Sequence, residues 1–489
     1  MTSQSASIYV PHWLDDKRVY SCGCGSCGEK IPKFNPATGE LLSLISAGCS
    51  NEVLKAISLA EASLSNWSGR SLDYRAEMLK KTLVAMESNR KVIAKILSSE
   101  SGRSDKMVNA EIDAAISYGE FFVGESRRFY GTTMASKELG RFAYFIRQPV
   151  GICLLITPFN GPLVSMAKKV FPALLCGNTI VLKSHELTPM TGILLAQCLQ
   201  EAGLPSGVFS VVQGIGSKIG PQLVGDPRVA MISFTGSSQT GRIIKSQSHT
   251  FRMCFEMGGK NAFVVCDDAD LDRAVEYATL SAFANAGQMC ASASRIIVFD
   301  SIYDEFRDKL IQRAKSLGVG TSHDDFVPPI ITEDNLHRIL EAFDGAISRG
   351  GVILTGGQRV NLAGYFLEPT VFENVSPDDP FAQEELFGPA TCLFRADNLD
   401  EAIAITNNSK FGLTAAIHTD NLHRAEVFKL RCETGVVRIN GHTYGSEPQD
   451  IPFGGRKLSG NGWREPGTDA LDVYTEKKFV SFDHDQTRV

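Results

Sequence analysis

VGICLLITPFNGPLVSMAKKVFPALLCGNTIVLK, residues 150–183, decides the fold class. Its first eight residues form an apolar run of strand length, and Leu163 to Leu175 carries apolar residues at helical spacing. TIVLK then returns to a strand and completes a strand–helix–strand unit. Beyond it the alternation continues through a helix from Thr188 to Ala202, the strand VFSVV, a helix from Ile215 to Val224 and the strand VAMISF. Parallel strands need such crossovers, so a twisted parallel sheet of the Rossmann-like α/β class is expected. After Gly258 the pattern resumes with AFVVC, a helix from Leu271 to Phe283, RIIVF and a helix from Tyr303 to Leu317, which predicts a second α/β domain.

Upstream, Glu52 to Asn66 and Arg70 to Ile96 carry helical periodicity, with Met78, Leu79, Leu83, Val84 and Met86 on the apolar face. KELGRFAYFIRQPV (137–150) and DVYTEKKFVSF (472–482) read as strands suited to a sheet edge or an oligomer contact. At 489 residues the chain exceeds a single ordinary core, so two large domains and a small third element fit its length. A net charge of −6, from 49 basic and 55 acidic residues spread along the chain, disfavours nucleic acid and anionic membrane as partners.

The start, MTSQSASIYV, lacks a basic region leading into an apolar one, so no secretory signal is expected and the location is read as cytoplasmic. No apolar run approaches the ~18 residues that cross a bilayer. Twelve cysteines without dense spacing suit a reducing compartment, most of them as small buried hydrophobes. CGCGSC brings Cys22, Cys24 and Cys27 together, and a zinc site would need a fourth ligand such as Cys49 or His12. A glycine-rich turn between two strands is the preferred reading, and no metal is expected.

GIGSKIG (214–220) is one residue too long in its last spacing for the dinucleotide fingerprint, and FTGSSQTGR lacks the Lys and Ser/Thr of a nucleoside triphosphate loop. Cys290, in NAGQMCASASR, falls between a predicted helix and a predicted strand, where a loop can present a thiol to a cleft. Composition alone favours a buried structural cysteine there.

Seven motifs in consistent order reverse that preference: TPFN at Thr157, LKSHE at Leu182, FTGS at Phe234, EMGGK at Glu256, GQMC at Gly287, EELFGP at Glu384 and PFGGRKLSGNGWREPG at Pro452. Carrying them, the chain resembles the aldehyde dehydrogenase superfamily over nearly its whole length. The resemblance implies an NAD-binding domain from residues 1–130 and 149–257, a catalytic domain from 258–467, and an oligomerisation element from 131–148 and 468–489. It further implies a homodimer or homotetramer acting on a small-molecule aldehyde.

The resemblance also assigns roles. Cys290 is the nucleophile that forms a thiohemiacetal and then a thioester, and Glu256 is the general base that hydrolyses it. Asn160 and the Cys290 backbone N–H stabilise the oxyanion. Lys169 and Glu465 match positions linked to proton transfer, although charged residues there also suit a surface. Lys183 and Glu186 would hold the adenosine ribose, and Thr157, Gly236, Ser237 and Gly258 belong to the same cofactor site. Glu385 and Phe387 would lie at the nicotinamide end. Glu186 favours NAD, with NADP an alternative, because a ribose-binding carboxylate repels a 2′-phosphate. An acylating, coenzyme A-dependent dehydrogenase is disfavoured by Glu256, and a non-catalytic protein on this fold by Cys290, Glu256 and Asn160 together.

The substrate tunnel departs from the family. Gly161, Ser165 and Lys168 stand where bulky apolar residues are common, and Tyr444 is expected to line the same passage. A wider, more polar entrance follows, and Lys168 could greet the anionic tail of a semialdehyde acid. Beside Lys169, however, Lys168 also fits a solvated helix face, and that reading stands slightly ahead.

Overall fold

A computed structural model describes residues 8–20, 30–138, 140–444 and 448–483. The stretch 150–183 forms the strand Ile152–Ile156, the helix Pro162–Leu175 and the strand Thr179–Lys183, and both strands lie at the centre of a seven-stranded sheet. Across that sheet the order is Met253–Met257, Val229–Gly236, Ile152–Ile156, Thr179–Lys183, Phe209–Val212, His12–Leu14 and Lys17–Val19. The first five are mutually parallel; His12–Leu14 pairs antiparallel with Phe209–Val212, and Lys17–Val19 pairs antiparallel with His12–Leu14. Helices cover both faces, which is why these strands read as continuous apolar runs rather than alternating ones.

Strand order reverses between Ile152–Ile156 and Val229–Gly236. At such a switch the connections leave toward opposite faces and open a crevice beyond the carboxyl ends of the strands. Thr157, Lys183, Gly236 and Gly258 all stand at or just past those ends.

The periodic stretch from Arg70 to Ile96 divides at Asn89 into the helices Leu72–Ser88 and Arg90–Ser101, since Asn89 leaves helical geometry at φ −93°, ψ 7°. A further helix, Asp105–Glu125, packs along Pro162–Leu175. The second seven-stranded sheet runs Val352–Thr355, Thr370–Glu373, Ala390–Ala396, Ala293–Phe299, Asn261–Val265, Thr414–His418 and Val436–Ile439, all parallel except the first. It encloses its own apolar core.

Thr475–Asp483, Arg141–Pro149 and Thr132–Met134 form a separate antiparallel sheet. Tyr130, Phe142, Phe479 and Phe482 leave it apolar and exposed. The short helix Ala470–Val473 does not belong to that sheet; its side chains enter the core of the first domain.

Candidate active site

Cys290 lies in a turn between a short 3₁₀ segment, Ala284–Gly287, and the strand Ala293–Phe299. Asn285, Ala286 and Gly287 all adopt left-handed backbone, at φ 51°, 54° and 65°. Consecutive left-handed residues without a glycine at each are costly, and that cost is met where a structure holds a functional group in place. Asn261 provides the hold: its side-chain amide donates to the Cys290 carbonyl at 2.8 Å and to the Ser292 carbonyl at 2.9 Å. Gly259 packs so closely beneath that a Cβ there would strike the Cys290 carbonyl oxygen.

The Cys290 Sγ stands 3.5 Å from Glu256 Oε1. Glu256 ends the buried strand Met253–Met257 and accepts from the Thr235 hydroxyl at 3.4 Å on the neighbouring strand. Burial is the main cause that raises the Cys290 thiol well above its ordinary pKa; Glu256 and Glu385 add to it and Lys168 opposes it. The resting thiol is therefore protonated, with Glu256 placed to accept.

Asn160 precedes the helix Pro162–Leu175 and donates one side-chain N–H to the Gln288 carbonyl at 2.9 Å, which points the amide toward the cysteine turn. That helix start is fixed by a residue the motifs do not reveal. Glu111 is buried, accepts from the Leu163 and Val164 N–H groups at 2.8 and 3.2 Å, and pairs with Arg103 at 2.5 Å. A carboxylate at a helix N-terminus meets both the free N–H groups and the positive end of the dipole.

The two lysines on this helix correct the surface reading. Lys169 is 2% exposed and donates to Glu465 at 2.8 Å and to Ser233 at 2.6 Å, while Ser233 donates to Glu465 at 2.6 Å. The Tyr474 hydroxyl donates to the other Glu465 oxygen. Lys168 is half-buried: its ammonium lies 5.1 Å from the Tyr118 ring and 5.8 Å from the Phe453 ring. Burial alone would lower its pKa, yet Tyr118, Glu256 and Cys290 raise it. The groups that act on Lys168 thus include the thiol and the carboxylate of the reacting pair.

The crevice at the sheet switch fits a dinucleotide. Ser237 caps the helix Ser238–Gln247, accepting from the Thr240 N–H at 3.2 Å, so a helix N-terminus opens at the strand end as a phosphate site requires. Gly236 keeps that approach clear, since a Cβ there would lie 2.6 Å from the Phe234 ring. The Thr157 hydroxyl is buried with no hydrogen-bond partner in the protein. Lys183 pairs with Glu186 at 2.5 Å. Burial would raise the Glu186 carboxyl, but Lys183 and His185 bring it down to about 2, so it is ionised.

His185 packs edge-on to Phe159, and Phe159 edge-on to Phe387, at 5.3 and 5.7 Å, linking the Lys183–Glu186 pair to the far end of the crevice. There Glu385 accepts from the Gly259 N–H at 3.0 Å, and burial pushes its carboxyl up to about 7. A Cβ at Gly258 would collide with that carboxylate.

Residues 24–480 match the model of the aldehyde dehydrogenase family. The chain belongs to that family. It is 36% identical to cytosolic aldehyde dehydrogenase 1 of Rattus norvegicus, over 93% of this chain and 92% of the relative. It is 35% identical to an alpha-ketoglutarate semialdehyde dehydrogenase of Haloferax volcanii, over 93% and 95%. Its structure resembles betaine aldehyde dehydrogenase of Staphylococcus aureus in complex with NAD+, with a TM-score of 0.92 and 29% identity over 97% and 95% of the two chains. The protein is an NAD(P)-dependent aldehyde dehydrogenase.

Tyr444 packs on His442, 5.0 Å between rings, and burial lifts its phenol to about 12. Cys22, Cys24 and Cys27 lie outside the described residues. Of the two additional zinc ligands considered, His12 accepts from the Gln213 N–H at 3.0 Å, and Cys49 is disulfide-bonded, which departs from the wholly reduced set of cysteines expected. The other described cysteines are free. Among the described residues no group of three or more His, Cys, Asp or Glu is arranged to hold a metal ion, and no helix is long and apolar enough to cross a membrane.

Proposed function

We propose that this enzyme converts its aldehyde to the free carboxylic acid through a thioester on Cys290, with Glu256 as the base for both halves of the reaction. The observation that carries this reading is the 3.5 Å approach of the Cys290 Sγ to Glu256 Oε1 in a half-buried turn. As sulfur attacks the carbonyl carbon, a C–S bond forms and the thiol proton passes to Glu256. The alkoxide is received by the Asn160 side-chain N–H not spent on Gln288 and by the Cys290 backbone N–H. Bound NAD supplies the hydride acceptor. Loss of hydride from the alkoxide carbon leaves a thioester on Cys290. Once Glu256 has passed that first proton on, it takes one from water, the water oxygen adds to the acyl carbon, and breaking the C–S bond releases the carboxylic acid and the Cys290 thiolate.

Thr157, Lys183, Glu186, Gly236, Ser237, Gly258, Glu385 and Phe387 would hold the cofactor along the crevice. Glu186, ionised and aimed at the ribose end, supports NAD over NADP. Ser233 and Thr235 are two residues apart on one strand and face the same side, so the Lys169–Ser233–Glu465 network lies one step from the Glu256 carboxylate. That placement supports a role in passing the proton onward. Glu256 in contact with the thiol also supports hydrolysis over transfer to coenzyme A. The exposed aromatic face around Phe142, Phe479 and Phe482 supports assembly into a homodimer or homotetramer, and the cytosolic relative supports a cytoplasmic location.

The test is Glu256→Gln with NAD and a neutral aldehyde. Formation of the first NADH, which needs the thiol proton removed, should slow, and steady turnover should fall about 10²- to 10⁴-fold. Coenzyme A should not restore the rate. Unaltered steady turnover, or acyl-coenzyme A as product of the wild-type enzyme, would remove the hydrolytic assignment.

A further inference from the structure

On the helix Pro162–Leu175 and its leading residue, Gly161, Ser165 and Lys168 are spaced by four and three residues and so lie on one face. All three are half-buried, whereas Met166, Ala167, Lys169 and Val170 are buried. The face begins beside Asn160, carries the half-buried Val164 beside the small Gly161 and Ser165, and ends on a cation. Seven residues of helix advance about 10 Å, and side chains lean back toward the helix N-terminus, so the ammonium comes well within that distance of the oxyanion position. At its end the Lys168 ammonium stands between the Tyr118 and Phe453 rings, at 5.1 and 5.8 Å.

We propose that Lys168 is the specificity-determining residue of the substrate pocket, and that it binds an anionic oxygen on a compact aldehyde while Cys290 attacks the carbonyl. The proposal rests on the thioester reading above and adds the substrate class to it. The two aromatic rings attract the cation, but even with the Tyr118 hydroxyl as an acceptor they leave donor positions of the ammonium group open. No carboxylate of the described residues forms an ion pair with it, and Glu256 is engaged by Cys290 and Thr235. Lys169, one position on, is sealed away and fully paired within the protein. Lys168 is instead left with open donors on the half-buried face that begins beside Asn160. The names of the similar proteins include both alpha-ketoglutarate semialdehyde and betaine aldehyde, so likeness alone does not choose the class.

The experiment measures kcat/KM with NAD for matched pairs: succinic semialdehyde against isohexanal, and terephthalaldehydic acid against para-tolualdehyde. Within a pair the ratio of acid to neutral aldehyde cancels any change in thiol reactivity, because that change acts on both. At least one acid should be preferred by the wild-type enzyme, and which acid wins tells whether chain or ring carries the anionic oxygen. Lys168→Met should lower that ratio about 10- to 100-fold, and Lys168→Arg should keep it within a few-fold. Salt should lower the ratio in the wild type and not in Lys168→Met. A wild type that prefers neither acid, or a ratio that Lys168→Met does not move, overturns the assignment. Turnover of the neutral aldehydes reports separately on the thioester reading.

Discussion

Lys168 and Lys169 are neighbours in sequence, yet they meet the same electrostatic problem with opposite solutions. A helix turns by about 100° per residue, so adjacent side chains leave on different faces. Lys169 points back into the fold, where Glu465, Ser233 and Tyr474 close a network in which both charges are paired. Lys168 lies on the other, forward face against the Tyr118 and Phe453 rings, within the electrostatic reach of Glu256 and Cys290 and without an ion pair among the described residues. A buried cation is held by its partner, whereas a cleft cation is available to a ligand, and residue type alone does not distinguish them.

The sharpest break in this comparison comes from the forward face. Cys290→Ala should lower steady-state dehydrogenase turnover by about 10⁴-fold or more, since a covalent route has no substitute for its nucleophile, while NAD still quenches protein fluorescence. Retention of even a tenth of the rate would mean that the forward face is not the reacting face.

On the rear face the effect should be on folding. Lys169→Met leaves the Glu465 carboxylate buried without its cation and should cost about 3–5 kcal/mol in denaturant unfolding at pH 7. Adding Glu465→Gln should recover part of that loss, because the unpaired charge goes with it. Lys168→Met, with no ion pair to break, should change stability by under about 1 kcal/mol. Equal destabilisation by the two lysine variants would erase the contrast.

Acid–base behaviour sharpens it further. Burial, Glu256 and Glu385 hold the Cys290 thiol above its ordinary pKa, and Lys168 pulls the other way. The rate of single-turnover thioester formation with a neutral aldehyde should therefore climb as pH is raised into the alkaline range. In Lys168→Met, which lacks the opposing cation, the climb should move to still higher pH; a shift toward lower pH would contradict the placement of Lys168 near the thiol. The smallest effect should come from outside both faces. Glu186→Gln should relax the preference for NAD over NADP by about tenfold, the size of one charge contact, in the ratio of kcat/KM values.

Much of the site is legible in the sequence because its parts are local. TPFN, EMGGK and GQMC each lie at a strand end or in a turn, where the chain itself brings the reactive group out. The helix limits Leu271–Phe283 follow directly from periodicity and its Asp270 cap. By contrast, periodicity does not expose the break at Asn89 or the helix Asp105–Glu125, since both helices of the broken pair share one apolar spacing and the added helix spreads its apolar residues among acidic ones.

The groups that position the site from a distance carry no such local mark. Glu111 and Arg103 brace the start of the Asn160 helix from elsewhere in the chain, and Asn261 holds the Cys290 turn from 29 residues away. Sequence by itself determined the α/β alternation and the family, and singled out Cys290, Glu256 and Asn160 for the reacting roles proposed here, because periodicity and motif chemistry are properties of short stretches. Only the tertiary structure decided that Lys169 is sealed and Lys168 is not, and that Cys49 is disulfide-bonded. Burial and partnership depend on which distant elements pack against a side chain, and those distances are set by the fold as a whole.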